Sequence, residues 1–228
     1  GPQAGVLAAR AAYIGGCAGT SNVYAGHALG VPIAGTMAHS FVMAYASEDE
    51  AFEAYARAFP RHATVLVDTY DTVAGARTAA RMSTRPQAVR IDSGNLERGS
   101  RDVRDILDAA GLHDVKIVAS SDLNEYIIEE LVAAGAPIDG FGVGTELVTS
   151  RDDPALSGVY KLVAYEHGGE TVGVAKLSED KATYPGAKQV FRAADFSGDV
   201  VGAADERLPG EPLLRRVMDG GGVCAALP

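Results

Sequence analysis

The sequence predicts an α/β protein whose parallel strands close into a (β/α) barrel. From Val31 onward, short apolar segments of about five residues alternate with amphipathic segments of helical period. These apolar segments lack the alternation of half-exposed strands, which is typical of parallel strands covered by helices on both faces. No glycine-rich dinucleotide-binding loop follows the first apolar segment. A series of such units without that loop favours a barrel over an open sheet.

The individual elements follow from local composition and period. Residues 4–18 predict a largely buried helix, and a polar break at residues 19–22 precedes a short helix ending at Leu29. Strands are predicted at Val31–Gly35, Thr64–Asp68, Ala88–Asp92, Val115–Ser120 and Ile138–Gly142. Helices are predicted at Glu48–Phe59, Thr72–Met82, Ser100–Ala110 and Leu123–Ala134. The start and stop signals are a capping box at Asp122–Glu125 and helix-ending glycines at Gly111 and Gly135.

The pattern changes after Ser150. Gly158–Tyr165 and Thr171–Lys176 flank a polar turn and predict a β-hairpin, and Lys188–Arg192 predicts another strand. The residues from Ala193 onward predict hairpin and loop. We therefore expect residues 1–150 to form the barrel core with its active-site rim, and residues 151–228 to complete the barrel and extend beyond it.

Composition limits the classes of partner. The chain has 228 residues and a net charge of −10, which argues against non-specific binding to nucleic acid or to an anionic membrane surface. Two cysteines, Cys17 and Cys224, form neither a metal cage nor a disulfide framework, so a cytoplasmic location is expected. The chain starts at Gly1 without an initiator methionine, so we expect that it was cut or processed there.

Polar side chains and glycines follow each predicted strand. In a barrel, the groups that act on a ligand gather at the carboxyl ends of the strands. The residues predicted to meet at this rim are Thr36, His39, Asp68, Asp71, Arg90, Asp92, Ser93, Gly94, Ser121, Asp122, Gly142, Gly144 and Thr145. Solubility alone does not require this concentration of carboxylates, hydroxyls and glycines.

His39 is the strongest candidate for covalent chemistry. It lies where the apolar segment ending at Gly35 gives way to a predicted helix, a place where backbone N–H groups and the helix dipole favour phosphate. A neutral imidazole is a competent nucleophile toward a phosphoryl group. The alternative is a hydrogen-bonded structural histidine at a turn.

The other rim residues each allow two interpretations. Gly142–Thr145 offers backbone N–H groups to a phosphate, or is a tight turn. Asp92 can accept both hydroxyls of a ribose and Arg90 can bind a phosphate or carboxylate, or the two residues pair with each other. Asp122 is a ligand group or a helix cap. Asp68 and Asp71 bind Mg²⁺ through water, or cap the helix that begins at Thr72.

With these residues in place, the chain resembles the nicotinate phosphoribosyltransferase family. The matching blocks are Gly1–Gly5, Gly19–Asn22, Gly35–Ser40, Leu66–Thr72, Arg90–Gly94, Ser120–Asp122, Phe141–Thr145 and Lys181–Val190. The resemblance implies an irregular (β/α) barrel of the type II phosphoribosyltransferase kind and a homodimer. It also implies that nicotinate and phosphoribosyl pyrophosphate give nicotinate mononucleotide and pyrophosphate, with ATP and Mg²⁺ as cofactors.

The resemblance also assigns roles to residues. His39 is the residue that the family phosphorylates. Arg90, Asp92, Ser93 and Gly94 bind the ribosyl moiety and the base region. Gly142, Gly144 and Thr145 bind the 5′-phosphate, with Ser121 or Asp122 nearby. Thr20 and Ser21 face the base pocket. Thr36, close to His39 in the sequence, is also predicted to bind substrate.

Two departures from the family pattern keep alternatives open. Asn95 replaces the usual aspartate after Ser93-Gly94, which weakens metal or hydroxyl binding. Family members also carry an N-terminal domain before the Gly1–Gly5 block, with an aromatic residue that stacks on nicotinate. The alternatives are a non-catalytic homologue that binds nucleotide or regulates a full-length enzyme, and a nicotinamide or quinolinate phosphoribosyltransferase.

Overall fold

The structure is a computed structural model that describes residues 2–149, 160–177 and 182–224. The chain divides into two compact units. The first contains residues 1–162 and 175–183, and the second contains residues 163–174 and 184–228. None of the helices within the described ranges is long and apolar enough to cross a membrane.

A four-stranded parallel sheet organises the first unit, in the order β1-β2-β3-β4. The strands are β1 (Thr64–Leu66), β2 (Ala88–Ile91), β3 (Lys116–Ser120) and β4 (Gly140–Gly142). Leu66 is paired with Arg90, Arg90 with Val118, and Val118 with Gly140. This register brings the carboxyl ends of all four strands to one edge. The predicted parallel α/β arrangement is confirmed, and closure into a barrel stays a prediction.

The described residues of the first unit contain eight helices, four before β1 and four after it in the chain. They are α1 (Pro2–Ile14), α2 (Val23–Leu29), α3 (His39–Met43), α4 (Glu48–Ala58), α5 (Thr72–Ala80), α6 (Leu96–Ala109), α7 (Glu125–Ala133) and α8 (Thr145–Val148). Side chains of Asn22, Ser47, Asp71, Asn95 and Asn124 accept hydrogen bonds from the first turns of the helices that follow them. Short polar side chains at these positions fix where the chain enters each helix.

The core lies between the sheet and its helices. Val65, Leu66 and Val67 are fully buried, as expected for a strand that is covered on both faces. A Cβ atom on Gly75 would lie 2.0 Å from the carbonyl oxygen of Val67. Helix α5 therefore packs directly on the backbone at the end of β1, and only glycine allows this approach.

Four local predictions were wrong. The segment Val31–Gly35 is extended but forms only one isolated bridge, between Ile33 and Thr20. Pro32 has no N–H to donate, which prevents a regular ladder there. Helix α1 is mostly exposed, with Ala9 as its buried residue. The other two corrections concern helix starts.

Asparagines cap the N-termini of α6 and α7, and both helices start at other residues than predicted. Asn95 accepts a hydrogen bond from the Arg98 N–H at 2.9 Å, so α6 begins at Leu96, a turn earlier than predicted. Asn124 caps α7 by accepting from two backbone N–H groups, which leaves Asp122 outside the helix. Asn95 therefore has a structural role that asparagine fills as well as aspartate would.

The second unit consists of short antiparallel strands. β5 (Ala164–His167) and β6 (Glu170–Gly173) form a hairpin. β7 (Lys188–Arg192) lies between β8 (Asp199–Ala203) and β9 (Glu211–Pro212), and β10 (Met218–Asp219) pairs with β11 (Gly222–Val223). The predicted hairpin, the strand at β7 and the β-rich tail are confirmed. Gly1, Gly158, Val159 and Lys181, which also belong to predicted segments, lie outside the described residues.

Candidate active site

His39 lies between polar groups that follow two different strands. It is the first residue of α3 and is 9% exposed. Its Nδ1 atom lies 3.1 Å from the Thr69 hydroxyl oxygen, and its Nε2 atom lies 3.4 Å from Oδ2 of Asp92. Thr69 follows β1 and Asp92 follows β2. The alignment of the parallel strands therefore holds both sides of the imidazole.

Arg90 joins three parts of the chain. Its guanidinium donates to the Ser120 hydroxyl on β3 at 2.7 Å, to the Thr36 hydroxyl before α3 at 2.8 Å, and to Oδ1 of Asp92 at 2.7 Å. The alternative in which Arg90 and Asp92 pair with each other is thus confirmed. All three guanidinium nitrogens bond within the protein, which makes Arg90 a fixed positive charge at the rim.

Asp92 is the most connected carboxylate of the site. In addition to Arg90, Oδ1 accepts from the Ser120 hydroxyl at 2.6 Å, and the His39 imidazole faces Oδ2. Burial alone would raise the pKa of Asp92. The hydrogen bond from His39, the charge of Arg90 and the bonds from Ser120 and Arg90 outweigh burial and hold this pKa well below its ordinary value. Asp92 is therefore ionised at physiological pH.

Asp68 supports the loop that carries Asp92. It is 1% exposed, and Oδ2 accepts from the backbone N–H of Asp92 at 2.8 Å and from the Ser93 hydroxyl. Its other oxygen, Oδ1, is buried and has no hydrogen-bond partner among the described residues. Asp68 lines a cavity of about 160 Å³ together with Asp71, Ser93 and Gly94. Asp71 caps α5 by accepting from the Ala74 N–H at 2.7 Å, which confirms that alternative for Asp71.

The donor set of this cavity fits Mg²⁺ bound partly through water. The described residues contain no cluster of three or more histidine, cysteine or acidic side chains arranged around a metal position. Mg²⁺ keeps several waters and is usually bound by one or two carboxylates together with substrate phosphates. The buried free oxygen of Asp68, with Asp71 on the same cavity wall, meets that requirement.

A larger cavity adjoins the rim between β2 and β3. Its volume is about 380 Å³, and its lining includes the predicted residues Gly94, Ser121 and Asp122 as well as apolar side chains of α7. Gly94 has φ +69°, which favours glycine, and Ser121 has φ +130°, which is uncommon for a residue with a side chain. The backbone at this cavity is therefore strained, as often found at functional sites.

The remaining predicted residues lie outside the bonded network. Gly142 is paired with Ser120 across the sheet, so the turn that follows β4 shares the rim, and Gly144 precedes α8. Thr20 uses its hydroxyl to accept from the Asn22 N–H at 3.1 Å. Among the described residues, no side-chain hydrogen bond joins Thr20, Ser21 or Thr145 to His39.

Sequence reasoning missed four polar residues around the site. Thr69 follows β1 and Ser120 is the last residue of β3; both were placed at the rim from the sequence, but neither hydroxyl was given a role. Glu48 has a buried Oε1 atom without a hydrogen-bond partner among the described residues. Burial, with repulsion from neighbouring carboxylates, raises its pKa to about 7. Lys176 is fully buried. The N–H of the next residue, Leu177, donates to the Thr69 carbonyl at 3.3 Å, which brings this segment next to the site. No local pattern in the sequence indicates this contact.

Comparison with known proteins identifies the family. The family described as "Nicotinate phosphoribosyltransferase (NAPRTase) family" matches residues 4–190. The nicotinate phosphoribosyltransferase pncB2 of Mycobacterium tuberculosis is 50% identical over 230 residues, which cover 97% of this chain and 49% of that protein. The nicotinate phosphoribosyltransferase of Bacillus subtilis is 43% identical over 227 residues, covering 93% of this chain and 46% of that protein. The chain thus spans about half the length of these two relatives.

Solved structures agree with the sequence match. Human nicotinic acid phosphoribosyltransferase superposes with a TM-score of 0.54 and 28% identity, over 100% of this chain and 59% of that one. Nicotinate-nucleotide pyrophosphorylase from Pyrococcus furiosus superposes with a TM-score of 0.59 and 27% identity, also over 100% and 59%. The resemblance expected from the sequence motifs is confirmed, and this chain belongs to the nicotinate phosphoribosyltransferase family.

Proposed function

We propose that this chain carries the reaction centre of an ATP-coupled nicotinate phosphoribosyltransferase. In this reaction the phosphoribosyl group moves from phosphoribosyl pyrophosphate to nicotinate, and nicotinate mononucleotide and pyrophosphate are released. The observation that carries the proposal is the contact of Asp92 with both Arg90 and His39 at the carboxyl edge of the sheet. A carboxylate suited to a sugar and a histidine suited to a phosphoryl group thus lie side by side.

Asp92 suits the transfer step. As pyrophosphate leaves, the ribose ring gains positive charge, and a fixed carboxylate stabilises that charge more than it stabilises the neutral ground state. Asp92 is ionised and held by Arg90 and Ser120, so it needs no reorganisation when the charge develops. In this proposal the ribose hydroxyls lie beside Oδ2, because Oδ1 already accepts from Arg90 and Ser120.

His39 suits the coupling step. Transfer from phosphoribosyl pyrophosphate to a nitrogen does not itself require ATP, so coupling needs a group that takes the γ-phosphoryl and later loses it to water. At neutral pH an imidazole is a better nucleophile than the hydroxyls of Thr36 or Ser40 without a base. Phosphorylation adds negative charge beside the fixed cation of Arg90, which can hold the site closed over its substrates.

The remaining groups bind the substrates. The turn Gly142–Thr145 offers backbone N–H groups to the 5′-phosphate, with Ser121 and Asp122 on the neighbouring cavity wall. Thr20 and Ser21 face the nicotinate ring. The buried Oδ1 of Asp68 would hold Mg²⁺, which would neutralise part of the pyrophosphate charge when it is bound.

The test is product formation by the full-length protein that contains this chain. We expect nicotinate mononucleotide from nicotinate, with neither nicotinamide nor quinolinate as an efficient substitute, and ADP released in step with product. His39→Ala should keep slow transfer from phosphoribosyl pyrophosphate but lose the response to ATP. Absence of transfer by the wild-type protein would favour a non-catalytic homologue.

A further inference from the structure

The guanidinium of Arg90 divides its hydrogen bonds among three residues. Nη2 donates to Oδ1 of Asp92 at 2.7 Å, Nε donates to the Ser120 hydroxyl at 2.7 Å, and Nη1 donates to the Thr36 hydroxyl at 2.8 Å. An arginine beside a carboxylate frequently forms two parallel hydrogen bonds, one to each carboxylate oxygen. Arg90 instead shares a single hydrogen bond with Asp92, because hydroxyl groups occupy its other two nitrogens.

The Ser120 hydroxyl has a fixed direction. The Nε atom of an arginine can only donate, so the hydroxyl oxygen accepts this bond and keeps its one proton for another group. Oδ1 of Asp92 lies 2.6 Å from the hydroxyl oxygen, and the Ile91 carbonyl oxygen lies 3.3 Å from it. The shorter distance and the negative charge make Asp92 the acceptor. The hydroxyl therefore links the cation of Arg90 to the carboxylate.

Both of these internal donors act on the same oxygen of Asp92. Nη2 of Arg90 and the Ser120 hydroxyl each donate to Oδ1, and a carboxylate oxygen has two lone pairs to receive them. Oδ2 faces Nε2 of His39 at 3.4 Å, and it is the oxygen beside which the proposed function places the ribose hydroxyls. The bonds to Arg90 and Ser120 are thus concentrated on the oxygen that the sugar does not use.

The position of Ser120 in the sheet makes this arrangement rigid. Ser120 is 7% exposed and is the last residue of β3, which pairs in parallel with β2, the strand that carries Arg90. Without the hydroxyl, the mostly buried Nε–H group would lose its acceptor, which is costly. The adjacent carboxylate of Asp92 is ionised and is already bonded to Nη2, so it is the natural replacement.

We propose that Ser120 is a positioning residue for Asp92, whose hydroxyl holds Nε of Arg90 and thereby keeps Arg90 on Oδ1 alone, so that Oδ2 faces the sugar. The inference rests on the proposed function, in which Asp92 stabilises the charge that develops on the ribose. Without the hydroxyl, Nε and Nη2 of Arg90 bond to both oxygens of Asp92. The carboxylate then stabilises less of the transition-state charge, so turnover falls more than substrate binding does.

The first test is the crystal structure of the full-length protein that contains this chain, as wild type and as Ser120→Ala. We expect Arg90 to contact only Oδ1 of Asp92 in the wild type, and to contact both oxygens in the variant. A variant in which Arg90 remains on Oδ1 alone would overturn the proposal. This comparison decides the role of Ser120 even if the protein forms no nicotinate mononucleotide, an outcome that would refute the proposed function.

A double-mutant cycle tests the effect on the reaction. Ser120→Ala should lower turnover about tenfold, as expected for loss of a hydrogen bond to a charged group, with little change in the KM for phosphoribosyl pyrophosphate. In the Asp92→Asn background the same substitution should change turnover by less than about twofold, because the carboxylate that Ser120 positions is already absent. Equal losses in both backgrounds would show that Ser120 acts through the fold, and would overturn the proposal.

The matched control is Ser100→Ala. Ser100 is also a buried serine, but it lies on α6 and donates to the Glu97 carbonyl at 2.8 Å, so its loss should leave turnover unchanged. Ser120→Cys, which keeps a small side chain and weakens the hydrogen bonds, is a second variant in case Ser120→Ala does not fold. It should show a smaller loss of turnover in the same cycle, and no loss would contradict the proposal.

Discussion

The two ends of the rim are built in opposite ways. At the ends of β1, β2 and β3, side chains such as His39, Arg90 and Asp92 are mostly buried and bond to one another. At the end of β4, Gly142, Gly144 and Thr145 are exposed, and the ideal Cβ position of Gly144 meets no atom within 4 Å. The first region is a preformed set of charged side chains, and the second presents backbone N–H groups beside open space that a ligand can occupy. Chemistry that needs fixed charge belongs to the first, and phosphate binding by N–H groups suits the second.

The largest effect should follow from removing the charge of Asp92. Asp92→Asn keeps the shape, so we expect turnover to fall by roughly 10²–10³-fold, as when a group that stabilises transition-state charge is lost. The KM for phosphoribosyl pyrophosphate should change much less. Steady-state kinetics of the full-length protein give both values, with Asp102→Asn, on the half-exposed face of α6, as control. Turnover within a few-fold of wild type would reduce Asp92 to a structural partner of Arg90.

Gly144→Val, at the end of β4, should change substrate binding and leave turnover almost unchanged, which is the reverse of the effect expected for Asp92→Asn. The new side chain meets open space in the protein, so its methyl groups would occupy the space of a bound phosphate. We expect the KM for phosphoribosyl pyrophosphate to rise about tenfold, equivalent to about 1.4 kcal/mol of binding, with little change in turnover. Gly198→Val, at another open glycine position, is the control. An unchanged KM would place the 5′-phosphate elsewhere.

The smallest effect concerns stability as a function of pH. Burial, with repulsion from Asp49, Asp71 and Asp68, raises the pKa of Glu48 from 4.5 to about 7. The folded protein therefore binds this proton more tightly than the unfolded chain does. The contribution of Glu48 to stability falls as the pH rises from about 4.5 through about 7.

Glu48→Gln should remove that loss. Because the side chain is partly exposed, solvent screening limits the effect to about 1 kcal/mol, or a rise in Tm of about 2 °C at pH 8. At pH 4, below both pKa values, the variant and the wild type should melt together. Thermal melts across this range decide the point, with Glu50→Gln on the exposed side of the same helix as control. Equal melting temperatures at pH 8 would mean that ionisation of Glu48 does not destabilise the folded protein.

The sequence predicted the sheet better than the side-chain network. Parallel strands that are covered on both faces are continuous apolar runs, so β1 to β4 and the alignment of their carboxyl ends could be predicted. The segment Val31–Gly35 is a similar apolar run but contains Pro32, and the missing N–H of this proline was the sequence signal against a regular strand. Asn124 was passed over as a cap because Asp122 fits the same pattern two residues earlier.

For the candidate site, too, the sequence predicted the residues but not their contacts. His39, Arg90 and Asp92 were identified because their residue types suit the chemistry and their positions follow strands. Which partners each residue bonds to depends on neighbouring strands 30 or more residues away, as in the contacts of His39 with Thr69 and of Arg90 with Ser120. Local pattern does not encode such contacts. Thr69, a hydroxyl residue inside a recognised block, therefore had no assigned role.

The most direct test of the central role of His39 is the site of phosphorylation in the full-length protein. After incubation with γ-labelled ATP, we expect an acid-labile, base-stable label on the peptide that contains His39. Ser40→Ala, which removes the exposed neighbouring hydroxyl, should retain the label, and His39→Ala should lose it. A label that persists in His39→Ala, or a wild-type protein that takes none, would contradict the assignment of His39 as the phosphoryl acceptor.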